Sequence, residues 1–181
     1  DGRAWFYKMR GNADLVGREK EHFLAWIQSL KPVEEVAPMP KQVTPQDLSW
    51  KLPAGWTAGY GGESRYATIE VPGAAATSVV VSFFPGDVGG DVANVNRWRA
   101  QVSLPPLGDT EVTALIKSLA AGDKTMKWVD LKGPEKRMIA AWTRHGDNTW
   151  FFKWTGPDAV LEAGHAEFQA LIESVRFNTP Q

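Results

Sequence analysis

One stretch of this chain occurs twice, and the second occurrence is preceded by far more sequence than the first. Trp5-Phe6-Tyr7-Lys8-Met9-Arg10-Gly11 returns as Trp150-Phe151-Phe152-Lys153-Trp154-Thr155-Gly156, and the correspondence runs on in constant register to Lys31 on Arg176. Over positions 5–31 laid on 150–176, eight residues are identical: Trp5, Phe6, Lys8, Gly11, Phe23, Ala25, Ile27 and Ser29. Other positions swap like for like, with Leu15 on Val160, Val16 on Leu161, Trp26 on Leu171 and Leu30 on Val175. The chain reads as the tail of one domain followed by a whole second copy. Residues 1–31 are the strand-helix remnant of a preceding repeat, 32–47 form a linker, and 48–178 make the complete domain.

Local patterns fill in this outline. Residues 4–9 read as a strand, and Asn12 with Asp14 suits a helix start through side-chain capping and charge near the N-terminus. Phe23, Trp26, Ile27 and Leu30 then recur at helical spacing as one apolar stripe. The stretch that follows Lys31, up to Pro45, holds four Pro and little periodicity, as a semi-extended linker does. In the full copy, the segment from Trp50 to Trp56 reads as a short edge strand or turn, and residues 59–64 as a loop. Residues 66–71 and 78–84 read as strands separated by a turn at 72–76. Asp91 is placed as the cap of a helix running to Val102, with Val92, Val95, Trp98 and Val102 on one face, and Pro105-Pro106 ends it.

A second helix is expected from Asp109 or Thr110 to Leu119, striped by Val112, Leu115, Ile116 and Leu119, with Gly122 just beyond its end. Residues 126–131 read as a strand, and 137–144 pairs with 149–154 across a tight turn. Trp150, Phe152 and Trp154 share one face while Phe151 points the other way, so this strand is covered on both sides. Pro157 opens a last helix whose Phe168, Leu171, Ile172 and Val175 repeat the stripe of the first copy. The sum is an α+β chain, a three-layer α/β/α sandwich with a mainly antiparallel sheet, preceded by a partial repeat of one strand and one helix.

Composition narrows the functional classes. A formal net charge of −1 and a sequence pI of about 6.4 give no overall field for nucleic acid or an anionic membrane, and no basic cluster stands out along the sequence. No run approaches the ~20 apolar residues of a membrane-spanning helix, and no basic-then-apolar signal pattern opens the chain. With no Cys there are no disulfides, thiolate metal sites or thiol nucleophile, a composition that fits an extracytoplasmic protein.

The densest polar constellation is the Gly-rich turn at 86–91, which leads into Asn94, Arg97 and Arg99. Asp87, Asp91, Asn94, Arg97 and Arg99 are the candidate ligand-binding residues: turn amides and an arginine fork suit an anion or carboxylate. The competing reading is a strand-to-helix turn whose side chains tie down neighbouring backbone. Asp87 and Asp91 lack the dense acidic alternation of a calcium loop, so no metal is assigned. His22, His145 and His165 read as surface residues without zinc-ligand spacing. Ser64 lacks the closing glycine of a nucleophile elbow, and the GYGG at 59–62 precedes no phosphate-loop lysine. Trp50, Trp56, Trp98, Trp128 and Trp142 read as packing rather than a sugar-stacking surface. No catalytic residue and no cofactor is assigned.

Several segments together, LPAGW (52–56), RYATIEVPG (65–73), SFFPGDVGGDVANVNRWRAQ (82–101) and TWFFKWTGP (149–157) with ESVRF (173–177), resemble the PsbP-like family of α/β/α sandwiches. Within that family the chain is similar to uncharacterised bacterial members of secreted or lipoprotein type. The resemblance covers about 48–178, whereas 4–31 resembles only the last strand and helix. Members include an extrinsic photosystem subunit and a binding protein of a nuclear-transport GTPase, so the resemblance implies non-catalytic protein association and a periplasmic or membrane-anchored location. The family's ion-binding residues do not match position by position and are not carried over.

The first segment is the other candidate interaction element. A lone strand and helix cannot bury Trp5, Tyr7, Phe23, Trp26 and Ile27 alone, and such a helix is marginal in water. It is expected to dock on its own domain, to add to or swap into another copy or a protein partner, or to cover a surface that its missing domain would otherwise fill.

Overall fold

A computed structural model describes residues 7, 9, 12–29, 48–61, 65–73 and 77–178. The chain forms two compact units, 1–39 and 40–181. Among the described residues of the first unit, one helix, α1 (Ala13–Ser29), starts where the sequence places it. The Asp14 amide, one of those left free at the helix start, donates to Asn12 Oδ1 at 2.9 Å, and the Val16 amide makes the first intrahelical bond to the Asn12 carbonyl at 2.9 Å. Tyr7 meets Trp26 edge-on at 5.6 Å, and Phe23 stacks on Trp26 at 6.0 Å. No residue of α1 is buried, and Trp26 is 49% exposed. Apart from Tyr7 and Met9, neither of which is in a strand, the strand expected at 4–9 lies outside the described residues. Trp5, Leu30 and the linker 32–47 lie outside them too.

The second unit runs β1 (Leu48–Ser49), β2 (Thr57–Tyr60), β3 (Arg65–Glu70), β4 (Ser78–Pro85), α2 (Gly90–Gln101), α3 (Asp109–Leu115), β5 (Lys117–Ala121), β6 (Lys124–Lys132), β7 (Arg137–His145), β8 (Asn148–Gly156), α4 (Asp158–Ala163), α5 (His165–Glu173) and β9 (Arg176–Phe177). Seven strands form one sheet in the order β2-β3-β4-β8-β7-β6-β5, every pair antiparallel. Strand β8 is its centre. A separate two-residue pairing of β1 with β9 sets Leu48 against Phe177.

Each face of the sheet has its own core, as the alternation in β8 requires. Trp150, Phe152 and Trp154 join Ile69, Val79, Val81, Met126, Trp128 and Ile139 under α4 and α5, which contribute Leu161, Phe168, Leu171 and Ile172. Phe151 turns the other way with Val129, Leu131, Met138, Ala140 and Trp142, under Val95 and Trp98 of α2, Val102 just beyond its end and Val112 of α3. The result is an α+β fold with helices packed on both faces of an antiparallel sheet. Burying a Trp such as Trp154, which is 0% exposed, contributes about 3–5 kcal/mol judged by what its truncation typically costs.

Four local expectations are corrected. The helix expected to reach Leu119 stops at Leu115, because Ile116 is already extended (φ −74°, ψ 120°) and Leu119 lies in β5 opposite Met126. Gly122 therefore does not follow a helix but sits with Asp123 in the two-residue turn joining β5 to β6, where its φ of 63° needs a glycine. Thr57–Tyr60, partly assigned to a loop, is the edge strand β2, held by β3 rather than by any apolar pattern of its own. The last helix is two, α4 and α5, broken at Gly164. There the backbone leaves helical values (φ −105°, ψ 15°), and the position needs a glycine because a Cβ would lie 2.6 Å from the Trp154 ring. Residues 62–64, Ser64 among them, and 74–76 lie outside the described residues.

Candidate functional site

The strand-to-helix turn is built differently from its sequence reading. Gly89, with φ 87°, takes the cap position, and Asp91 falls inside the first turn of α2. Asp91 caps nothing. Its Oδ1 accepts from Trp142 Nε1 at 2.9 Å and its Oδ2 pairs with Lys127 Nζ at 2.5 Å, which fastens α2 to β6 and β7. Asn94, 4% exposed, donates from Nδ2 to the carbonyls of Val88 at 3.2 Å and Gly90 at 2.7 Å. Those bonds hold Val88 at φ 27°, a region that a β-branched residue enters only when its surroundings force it. Arg99 is buried and donates from Nε to the Pro105 carbonyl at 2.8 Å, closing the loop after α2.

Of the five candidates, Asp91, Asn94 and Arg99 are thus committed to internal bonds. Asp87 and Arg97 remain exposed. Arg97 gives one donor, Nη1, to Asn94 Oδ1 at 2.9 Å, and its other donors have no acceptor among the described residues. The turn therefore brings the five residues onto one segment without converging them on a shared point.

The structure adds two polar groups that sequence spacing did not reveal. The first surrounds Arg137, whose side chain is 9% exposed at the start of β7. It grips Asp130 with two parallel bonds, Nε to Oδ1 at 2.7 Å and Nη2 to Oδ2 at 2.5 Å. Its Nη1 reaches Asp158 at 3.2 Å and Glu162 at 2.5 Å on α4. Lys132 Nζ pairs with Asp158 at 2.5 Å, and His165 Nε2 stands 3.6 Å from Asp130 while its ring packs on Trp128. The Asp130 carboxylate drives the Arg137 pKa above the ordinary guanidinium value despite burial, and the Lys132 hydrogen bond holds Asp158 below the usual carboxylate range. This network stitches α4 to the sheet and is satisfied within itself. His165 is correspondingly half-buried rather than a free surface residue, and His145 stacks on Phe177 at 4.6 Å.

The second group lies on the α2 face, where Lys153 projects from the central strand β8. Cross-strand partners share a face, so Lys153 sits beside Val80 of β4 and Ala140 of β7, two residues along from Phe151. Burial lowers its pKa, and Arg97 and Arg65 lower it further. The signal in the sequence was a lysine in a strand whose neighbours on both faces are apolar. Trp56, Trp98, Trp128 and Trp142 are buried in the two cores, and Trp50 packs partly covered against Tyr66 at 5.8 Å. Among the described residues no three His, Asp or Glu side chains come together as metal ligands, and no helix is long and apolar enough to cross a membrane.

No family model matches this chain, and no curated protein matches it. Among solved structures it is similar to a protein of Bacteroides thetaiotaomicron at 12% identity and a TM-score of 0.42, over 74% of this chain. The chain spans 46% of the length of that protein. It is also similar to CyanoP, the cyanobacterial PsbP of Synechocystis, at 9% identity and a TM-score of 0.49, over 82% of this chain and 100% of that one.

Proposed function

We propose that this chain is a non-catalytic binding or accessory module of a tandem-domain, extracytoplasmic protein, and that its first segment is an association element. The observation that carries the reading is the apolar stripe of α1. Its Phe23, Trp26 and Ile27 correspond in the repeat to Phe168, Leu171 and Ile172, all 0% exposed beneath the sheet. In α1 the same positions stay exposed or half-covered, with Leu15 and Leu24 also open. An amphipathic helix whose apolar stripe is not buried is one that a partner surface can cover. Support for a preceding repeat comes from the eight identities, and support for an extracytoplasmic setting comes from the PsbP-like segments and the absence of Cys. The same absence means that these 181 residues offer no thiol for a lipid anchor.

The occupant we test first is a second copy. Light scattering on the full chain over a concentration series should show a dimer that Trp26→Glu dissolves, together with amide-exchange protection along α1 in the dimer only. A monomer at every concentration, with α1 amides exchanging at unprotected rates in both proteins, overturns self-association as the role of this stripe.

A further inference from the structure

We propose that Lys153, Arg97 and Arg65 form a binding site for an anionic group, a phosphate or a carboxylate, on the α2 side of the sheet. The inference is independent of the α1 stripe and relocates the anion reading from the Gly-rich turn to the sheet beside it. Three observations carry it.

The register puts two of the cations on one face. Lys153 lies opposite Val80 and Arg65 opposite Ser82, so both flank β4 on the same side, Arg65 from β3 and Lys153 from β8. Two strand spacings and a two-residue offset along β4 separate their backbones, about 12 Å, which two long side chains can close upon one small anion. Ser82, 7% exposed, presents a hydroxyl to the same face between them. Arg97 approaches from α2, whose Trp98 packs on Phe151, the neighbour of Lys153 on this face, at 5.9 Å.

The ammonium of Lys153 is half-buried and has no hydrogen-bond acceptor or ion-pair partner among the described residues, while Arg97 has only the neutral Asn94 amide oxygen and Arg65 no acidic partner. The charged groups that weigh on Lys153 are both positive. Acids are near in the fold, Glu70 farther along β3 and Asp87 in the turn before α2, yet no ion pair joins either to these cations among the described residues.

Like charges gathered around a desolvated ammonium are unfavourable in the empty protein, and an anion placed among them reverses the sign of that interaction. The ion-pair network on the opposite face of the sheet shows the contrast, since Arg137 there is matched by Asp130, Asp158 and Glu162. The Arg forks suit the paired oxygens of a phosphate or carboxylate, and the ammonium adds a point charge at the apolar end.

The test titrates the full chain with inorganic phosphate and with citrate at constant ionic strength, with chloride as control, following the side-chain NMR signals of Lys153 and the melting temperature. Saturable binding is expected with at least one of the two, raising the pH midpoint of Lys153. Lys153→Met and Arg97→Gln should each weaken it at least tenfold, and Arg144→Gln, an exposed cation elsewhere, should leave it unchanged. The anion that saturates at lower concentration assigns the ligand class. A response that chloride reproduces, or equal affinity in Lys153→Met, overturns the site. Should Lys153→Met fail to fold, the double variant Arg65→Gln/Arg97→Gln, confined to exposed side chains, decides on the same criterion.

Discussion

Replacing Gly164 by Ala tests the packing logic of the domain most sharply, because two general effects oppose each other there. At φ −105° and ψ 15° the backbone accepts any residue, and Ala between two helical segments would by itself stabilise by about 0.5–1 kcal/mol over Gly. The new methyl would stand 2.6 Å from Trp154 Cη2 and 3.3 Å from Cζ3. The indole cannot yield easily: it is 0% exposed, wedged between Trp56 at 5.5 Å and Phe168 at 5.7 Å. Overpacking of this kind costs about 1–3 kcal/mol, so Gly164→Ala should be destabilising by a net ~1–2 kcal/mol. In a Trp154→Met background the flexible thioether yields, and the same substitution should become neutral or stabilising, a coupling of about 1–3 kcal/mol. In the alignment of 5–31 on 150–176, Met9 and Glu19 stand at the positions of Trp154 and Gly164. Urea unfolding of the four proteins of the cycle, followed by far-UV circular dichroism, gives the numbers. A stabilising Gly164→Ala in the wild-type background, or no coupling between the two sites, refutes the reasoning.

Further outcomes follow from the charged groups. Arg137→Met should destabilise by about 2–3 kcal/mol in urea unfolding at neutral pH, below the ~3–5 kcal/mol of a fully buried pair because its orphaned carboxylates can rehydrate. A loss under about 1 kcal/mol would mean that the network contributes no more than a surface pair. For Asp158 the sign is fixed by its depressed pKa: its contribution is fully present above the ordinary value of 3.8 and is lost as pH falls through the lower folded value. The stability gap between wild type and Asp158→Asn should therefore stay constant at neutral pH and close in acid below that value, and a gap that widens in acid would contradict the Lys132 pairing. Lys153→Met, in the absence of any anion, should unfold at equal or higher urea than wild type, since it removes a desolvated charge among like charges while keeping an apolar stem.

Legibility from sequence followed the strength of periodic signals. The β7-β8 hairpin and β6 could be read because they are long, aromatic or β-branched, and bounded by turn residues. Strand β5 could not, since Leu115, Ile116 and Leu119 fit a helical stripe as well as a strand, and only the pairing with β6 decides between them. Strand β2 has no apolar signature because it lies at the sheet edge with one neighbour. The turn at 86–91 was found by composition, but its hydrogen-bond assignments were hidden: Asp91 is bonded by Trp142 and Lys127, 51 and 36 residues away in sequence. Arg137 and Lys153 each drew no notice as single charges, for their meaning depends on residues that only the folded register places beside them.

The pairing of Leu48 with Phe177, reinforced by the Lys51 amide donating to Ser174 Oγ at 2.8 Å, fastens the beginning of the domain to its end. The polypeptide between them is in effect a closed ring with a clasp, and entry and exit share one corner. A unit of this kind can be strung on a longer chain at that corner without disturbing its sheet, and it can be reopened elsewhere. Joining the two ends by a short flexible linker and cutting at Gly146-Asp147 would move the chain's start into the β7-β8 turn while leaving both cores intact.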